Sequence, residues 1–197
     1  MNEKLKASVL QYFDRLREYG LHGEGDSVSV RTEGGMLFVD NSREVKFVKA
    51  GEAKGEAALH EGIYAQTDAA AVVHAHPDYV SAVAKAGVTI PAVIDDMAQI
   101  VGPTCRTVEG KEAAAKELKK RNSCLMKGDG AVTTGRTLNE AFTCMMVLQK
   151  AAICFVSASV LGGNVVINGL EARLMRFVYK KKYSKINTEN NIEREGK

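Results

Sequence analysis

The chain has 197 residues, 45% hydrophobic and 26% charged, with a formal net charge of +3; this is the size and balance of one ordinary globular domain with a sizeable core. The charge is too small to argue for a nucleic-acid partner, there is no Trp and little other aromatic surface for stacking bases, and the densest basic stretch, Arg173 to Lys185, reads as a solvated helix face and tail. No apolar run approaches the roughly 20 residues that cross a bilayer, the nearest, Ala141 to Leu161, being broken by Gln149 and Lys150.

In chain order, Met1-Asn2-Glu3-Lys4 leads into an amphipathic pattern and not into a signal-peptide core. Leu5, Val9, Leu10, Phe13 and Leu16 recur at helical spacing, with Gly20 as a stop. Ser27 to Arg31 alternates with period two, Gly34-Gly35 turns, and Met36 to Val39 completes a hairpin; Val45 to Val48 is a third short strand. Residues 55–66 read as a helix, Ala69 to His76 as a buried strand, residues 78–86 as a short helix before Gly87, and Val88 to Ile90 as a run ended by Pro91. Lys111 to Arg121 is helical in composition, and Ser123 to Lys127 and Ala131 to Thr134 are strands around Gly128-Asp129-Gly130. Thr137-Leu138-Asn139-Glu140 is a capping box opening a long helix that Gly162-Gly163 stops, and a last helix runs from Leu170 to Tyr183. Residues 1–186 form the domain; 187–197 are polar and read as a disordered tail. Strands grouped in hairpins beside helices, without strict βαβ alternation, predict an α/β fold with a largely antiparallel sheet. Cys105, Cys124, Cys144 and Cys154 form no CxxC or zinc-finger spacing and read as reduced, mostly buried thiols of a cytoplasmic protein.

The chain holds four histidines, and two of them form the triplet His74-Ala75-His76 at the end of the apolar run Ala69 to Val73. Residues two apart on a strand share a face, so the two imidazoles stand side by side, spaced to share a metal ion. Gly130 to Thr137 resembles a phosphate-binding G-x-x-x-x-G-K-[ST] loop, but Arg136 stands where its lysine belongs and Val132-Thr133-Thr134 reads as a strand.

Upstream of the pair lies Glu56-Ala57-Ala58-Leu59-His60-Glu61-Gly62-Ile63-Tyr64. Glu, then His, then Ile-Tyr, then a strand ending in His-x-His resembles the class II aldolase/adducin family. Ser27 to Arg31, Ala98 to Gly102 and Leu125 to Gly135 are similar to further family segments, so the likeness covers roughly residues 5 to 185. It implies a three-layer α/β/α sandwich around a mostly antiparallel sheet, a homotetramer with sites between subunits, and a divalent metal, zinc most commonly, that polarises a carbonyl of a small-molecule substrate. By motif position Glu56 is the acid/base and His74 and His76 are metal ligands, while His60 matches a supporting histidine. A carboxylate in the first turn of a helix is also favoured by the helix dipole alone.

The departures matter as much. The family's third ligand is the His of Asn-His-Gly; here the place reads Gly128-Asp129-Gly130. Asp129 is either a carboxylate ligand, completing a set competent for zinc, manganese or iron(II), or a plain hairpin turn residue. The family's phosphate-binding residues correspond to Ser27, Asn41 and Lys54, a remade anion pocket in which Asp40 opposes a phosphate. Tyr179 and Tyr183 are candidates to complete a neighbouring subunit's site. The resemblance implies a metal-dependent carbon–carbon lyase working through an enediolate, with a decarboxylase or epimerase on the same scaffold sharing that logic. The missing histidine leaves open a non-enzymatic or assembly role on the same fold.

Overall fold

The computed structural model describes the backbone of residues 3–163 and 166–195, with side chains as far as 182. Helix α1 (Glu3–Glu18) buries Val9 and Leu16 on one stripe and ends where Gly20 takes φ 65°. Strands β1 (Ser27–Thr32) and β2 (Gly35–Asp40) form the expected hairpin, and β3 (Lys46–Lys49) adds to its outer edge. Then come α2 (Glu56–Gln66), β4 (Ala71–Ala75) and α3 (Asp78–Ala86), which Gly87 caps in the left-handed conformation. Two-residue strands β5 (Ile90–Pro91), β6 (Thr104–Cys105) and β7 (Thr107–Val108) and the short helix α4 (Asp95–Ile100) fill the stretch whose elements are too short for any period to show. The chain continues through α5 (Lys111–Leu118), β8 (Ser123–Met126), β9 (Ala131–Gly135), α6 (Leu138–Val160) and α7 (Gly169–Glu195). The backbone of α7 thus runs through the segment read as a tail, whose side chains lie outside the described residues.

The main sheet has seven strands in the order β3-β2-β1-β4-β9-β8-β7, and every pairing is antiparallel except β7 with β8. Side-chain alternation sends Val28, Val30, Ala71, Val73 and Ala75 into a core shared with α1, α3 and α6, and sends Val72 into a second core with α2 and α5. These two cores on either side of one sheet make the three-layer α/β/α sandwich. β4 is central and buried along its whole length, which is why it reads as a continuous apolar run.

α6, at 23 residues, is long and apolar enough to cross a membrane by length and composition, a stronger match than its Gln149 and Lys150 suggest. Its apolar side is core: Phe142, Met145, Leu148 and Ala152 are fully buried against the sheet. Thr137 caps it as expected, its side chain accepting from the Glu140 N–H at 3.1 Å, but Glu140 reaches back one residue further than a capping box requires and accepts from the Arg136 N–H at 2.9 Å. Gly130 to Thr137 is extended β9 followed by this cap, so it forms no phosphate cradle.

Candidate metal centre and active site

The register pairs Ser27 with His74 and His74 with Val132, so the end of β4 sits deep in the sheet. His74 is buried on the α2/α5 face, and His76, just past the strand end, lies beside it with ring centroids 4.5 Å apart. The turn between β8 and β9 closes over them. Gly128 takes φ 77°, and a Cβ on Gly130 would collide with the Ala75 carbonyl and lie 2.7 Å from His76 Cδ2. The glycines that flank Asp129 therefore let the short side chain approach. Asp129 Oδ1 lies 2.7 Å from His76 Nε2 and Oδ2 lies 3.4 Å from His74 Nε2. From the opposite side Glu56, the first residue of α2, places Oε2 3.3 Å from His74 Nδ1.

His74 supplies the test of whether a metal fits. Both of its ring nitrogens are buried and neither has a hydrogen-bond partner; the carboxylates beside them are near enough for ion pairing but not aligned for hydrogen bonds. A buried imidazole is ordinarily satisfied. His74, His76 and Asp129 each offer one ligand atom, all within 4.8 Å of one another. Two imidazoles and a carboxylate are a donor set for zinc, manganese or iron(II), so the residues fit such an ion.

Asp26 lies behind the cluster. This buried carboxylate, one residue before β1, accepts from the His76 backbone N–H at 3.0 Å and lies 2.9 Å from His76 Nδ1, while its other oxygen accepts from the Gly23 N–H at 2.7 Å. A carboxylate on one imidazole nitrogen orients the ring and leaves the other nitrogen as the ligand atom. Gly23 packs against His76 so closely that a Cβ would lie 2.6 Å from His76 Cβ.

The electrostatics follow from this crowding. The His74 imidazole, 3.3 Å away, leads in holding the Glu56 carboxyl down to about 2, with Lys111 helping. His74 and His76 together hold Asp129 well below the carboxylate range. Burial acts to lower both histidines, but the carboxylates outweigh it: Asp129 and Glu56 raise His74, and Asp129 and Asp26 bring His76 up to about 9. Lys111, at the start of α5, donates to the Gly55 carbonyl at 2.7 Å and to Glu56 Oε1 at 3.4 Å.

The other expected site residues fall in different places. Ser27 is fully buried, its hydroxyl 2.9 Å from His60 Nε2, and Ser29 joins His60 Nδ1 at 2.7 Å to the Tyr64 hydroxyl at 2.7 Å. Ser27 thus sits in a buried network under the site, with burial pushing His60 down to about 3. Asn41, just after β2, and Lys54, two residues before α2, are exposed at the sheet end that carries His74. Tyr179 lines a cavity at the other end of the sheet, and the Tyr183 side chain lies outside the described residues. Asp26 and Lys111 have no motif to mark them. Only the pairing of β1 with β4 brings Asp26 to His76, and only the packing of α5 on α2 brings Lys111 to Glu56.

Residues 21–156 match the family model described as Class II Aldolase and Adducin N-terminal domain. No curated protein matches the sequence. Among solved structures, an L-fuculose 1-phosphate aldolase superposes with a TM-score of 0.77 at 22% identity, covering 91% of this chain and 98% of that one. The L-fuculose-1-phosphate aldolase from Thermus thermophilus gives 0.73 at 23% identity, covering 83% and 99%, and YgbL from Klebsiella pneumoniae gives 0.73 at 19%, covering 88% and 98%. These likenesses establish the fold, and the family model covers most of the chain, with most of the first core, all of the second and all four residues of the cluster. The chain belongs to the class II aldolase/adducin family.

Proposed function

We propose that the chain is a divalent-metal-dependent carbon–carbon lyase acting on a small hydroxy-carbonyl or sugar-derived compound. The observation that carries this reading is His74, whose two unbonded nitrogens face Asp129 on one side and Glu56 on the other. His74, His76 and Asp129 would hold the ion, zinc first, with manganese or iron(II) also suited to the set. A divalent ion there supplies Lewis-acid polarisation of a carbonyl, which is what an enediolate leaving group needs. The chain supplies the rest. Glu56, kept ionised beside His74 and Lys111, is in the form that accepts a proton, and its carboxylate is half-buried at the edge of the cluster, within reach of a substrate hydroxyl. Asp26 orients His76. The His60 network fixes the strand beneath. Lys54 and Lys111 would give the rim positive charge for an anionic end of the substrate, with Asn41 exposed at the same end of the sheet. A decarboxylase or epimerase would use the same residues for the same charge. Subunits associate as a homotetramer, with Tyr179 and Tyr183 offered to neighbours, and four cysteines without a disulfide fit a cytoplasmic location.

A second reading rests on one distance. Asp129 closes on His76 at 2.7 Å, so the cluster could serve as a self-contained ion-pair network in a non-enzymatic or assembly protein. Elemental analysis separates the two. The lyase reading expects about one metal per chain after loading with zinc, manganese or iron(II), lost in Asp129→Ala, and a Glu56→Gln variant that folds and binds metal but cleaves none of a panel of hydroxy-carbonyl compounds. A protein that takes up none of the three metals overturns it.

A further inference from the structure

A large cavity lies away from the histidines. It has a volume of about 1120 Å³ and opens where β9 ends, between the start of α6, the end of α2 and the inner side of α7. β9 runs roughly 16 Å at about 3.3 Å per residue, and that length separates this cavity from the Asp129 turn. Five lining residues are Lys or Arg and two, Asp68 and Glu140, are acidic.

Three of the cations lining this space come from two elements, Arg176 and Lys180 from α7 and Arg136 from the entry to α6. Arg176 is tied down, donating to the Ile100 carbonyl at 2.6 Å and to Asn122 Oδ1 at 3.0 Å, and Gly102, at φ 110°, leaves room for its stem, since a Cβ there would lie 3.1 Å from Arg176 Cδ. Arg136, at the entry to α6, is fixed by a two-pronged pair with Glu140 at 2.8 and 3.2 Å. Lys180 stands one helical turn beyond Arg176 on α7 and makes no ion pair or hydrogen bond among the described residues. Burial, then Arg176 and Arg136, push its ammonium below the usual lysine range, as befits a cation crowded by cations without an acid of its own. Burial likewise lowers Arg176. Like charges are brought together at a cost, and an anion among them would remove it.

We propose that this cavity binds a phosphorylated small molecule, with Lys180 and Arg136 as its principal contacts and Arg176 as the fixed cation behind them. A phosphate group matches better than a single carboxylate because it carries nearly two charges on three oxygens, enough to meet more than one cation at once, and guanidinium groups present paired N–H donors to it. The site is independent of the metal centre and stands whether or not that centre is catalytic.

The test uses metal-free, chelator-treated full-length protein titrated calorimetrically with inorganic phosphate and with pyrophosphate at about 0.15 M ionic strength, where weak surface pairing is screened. One saturable site per chain is expected, tighter for pyrophosphate. Lys180→Met and Arg136→Gln should each weaken binding about tenfold or more, while Lys111→Met, at the metal end, leaves it within about twofold; circular dichroism checks that each variant is folded. Absence of saturable binding by either anion overturns the proposal, as does binding indifferent to both Lys180→Met and Arg136→Gln. Binding lost in Lys111→Met places the anion at the metal centre and overturns it too. If no anion binds and Lys180→Met or Arg136→Gln instead splits the oligomer in sedimentation, the cavity is filled by a second copy of the chain.

Discussion

His60 is the residue at which mild acid should first weaken the fold. Its ring is sealed between Ser27, Ser29 and the Phe38 edge, and burial lowers its pKa from 6.5 to about 3. A group depressed in the folded state contributes stability that is complete above its unfolded pKa and is lost as pH falls toward the folded one. Between pH 6.5 and about 5 the other shifted groups are quiet. The raised pKa values of His74 and His76 give a contribution already complete below 6.5, and that of the lowered Glu56 and Asp129 begins to fade only near their unfolded values, 4.5 and 3.8. His60 alone should therefore cost about 2 kcal/mol at pH 5, at 1.36 kcal/mol per unit. Urea titrations of metal-free protein at pH 6.5 and 5.0 should show this loss in the wild type and not in His60→Gln; equal losses in both would disprove it. Asp26 gives a second prediction at this scale. It touches no ligand atom, only the far side of His76, so Asp26→Asn should keep the metal stoichiometry while weakening affinity about 10- to 100-fold in competition with a chromophoric chelator. An unchanged affinity would show that His76 needs no orienting carboxylate.

At the scale of elements, the hairpin of β8 and β9 decides whether Asp129 reaches the histidines. Its turn is held by Met126 N–H on the Gly130 carbonyl at 2.9 Å and Asp129 N–H on the Met126 carbonyl at 3.0 Å. Gly130 lies so near Ala75 that any Cβ must displace backbone. Gly130→Ala should lower stability by about 1–3 kcal/mol, the range for forced overpacking, and should lower metal occupancy as well, because the turn that shifts carries Asp129. Full occupancy in that variant would mean that Asp129 is not a ligand. The histidines, Glu56 and this turn are legible in the amino-acid sequence, because period-two alternation, the helix start and the Gly-Asp-Gly turn are local patterns. Asp26 and Lys111 are not, because each acts across a strand pairing or helix contact that no local spacing encodes. Ser27 shows the limit from the other side. Its place on the right strand is readable, but that its hydroxyl is turned into His60 and not toward a ligand depends on which face of β1 meets α2.

At the scale of the whole molecule, α7 is apolar on two sides where a surface helix needs only one. Ala172, with Met175 beside it, packs on Ala92 and Ala98, seating the helix against α4. Leu170, Leu174, Phe177 and Val178, at i, i+4, i+7 and i+8, form a second stripe that stays 54% to 73% exposed, and Val160 and Leu161 at the end of α6 are 82% and 87% exposed. Exposed apolar residues grouped in this way mark a surface that association covers, and a second copy is the occupant that the homotetramer proposed above would place there. Leu170 and Leu174 touch neither the metal cluster nor the basic cavity, so the double variant Leu170→Glu/Leu174→Glu should fold normally by circular dichroism, keep its metal, and sediment as a smaller species than the wild type. If subunit contacts also complete the catalytic site, turnover in that variant should fall with association and recover at high protein concentration. A double variant that sediments with the wild type would place the subunit interface elsewhere on the surface.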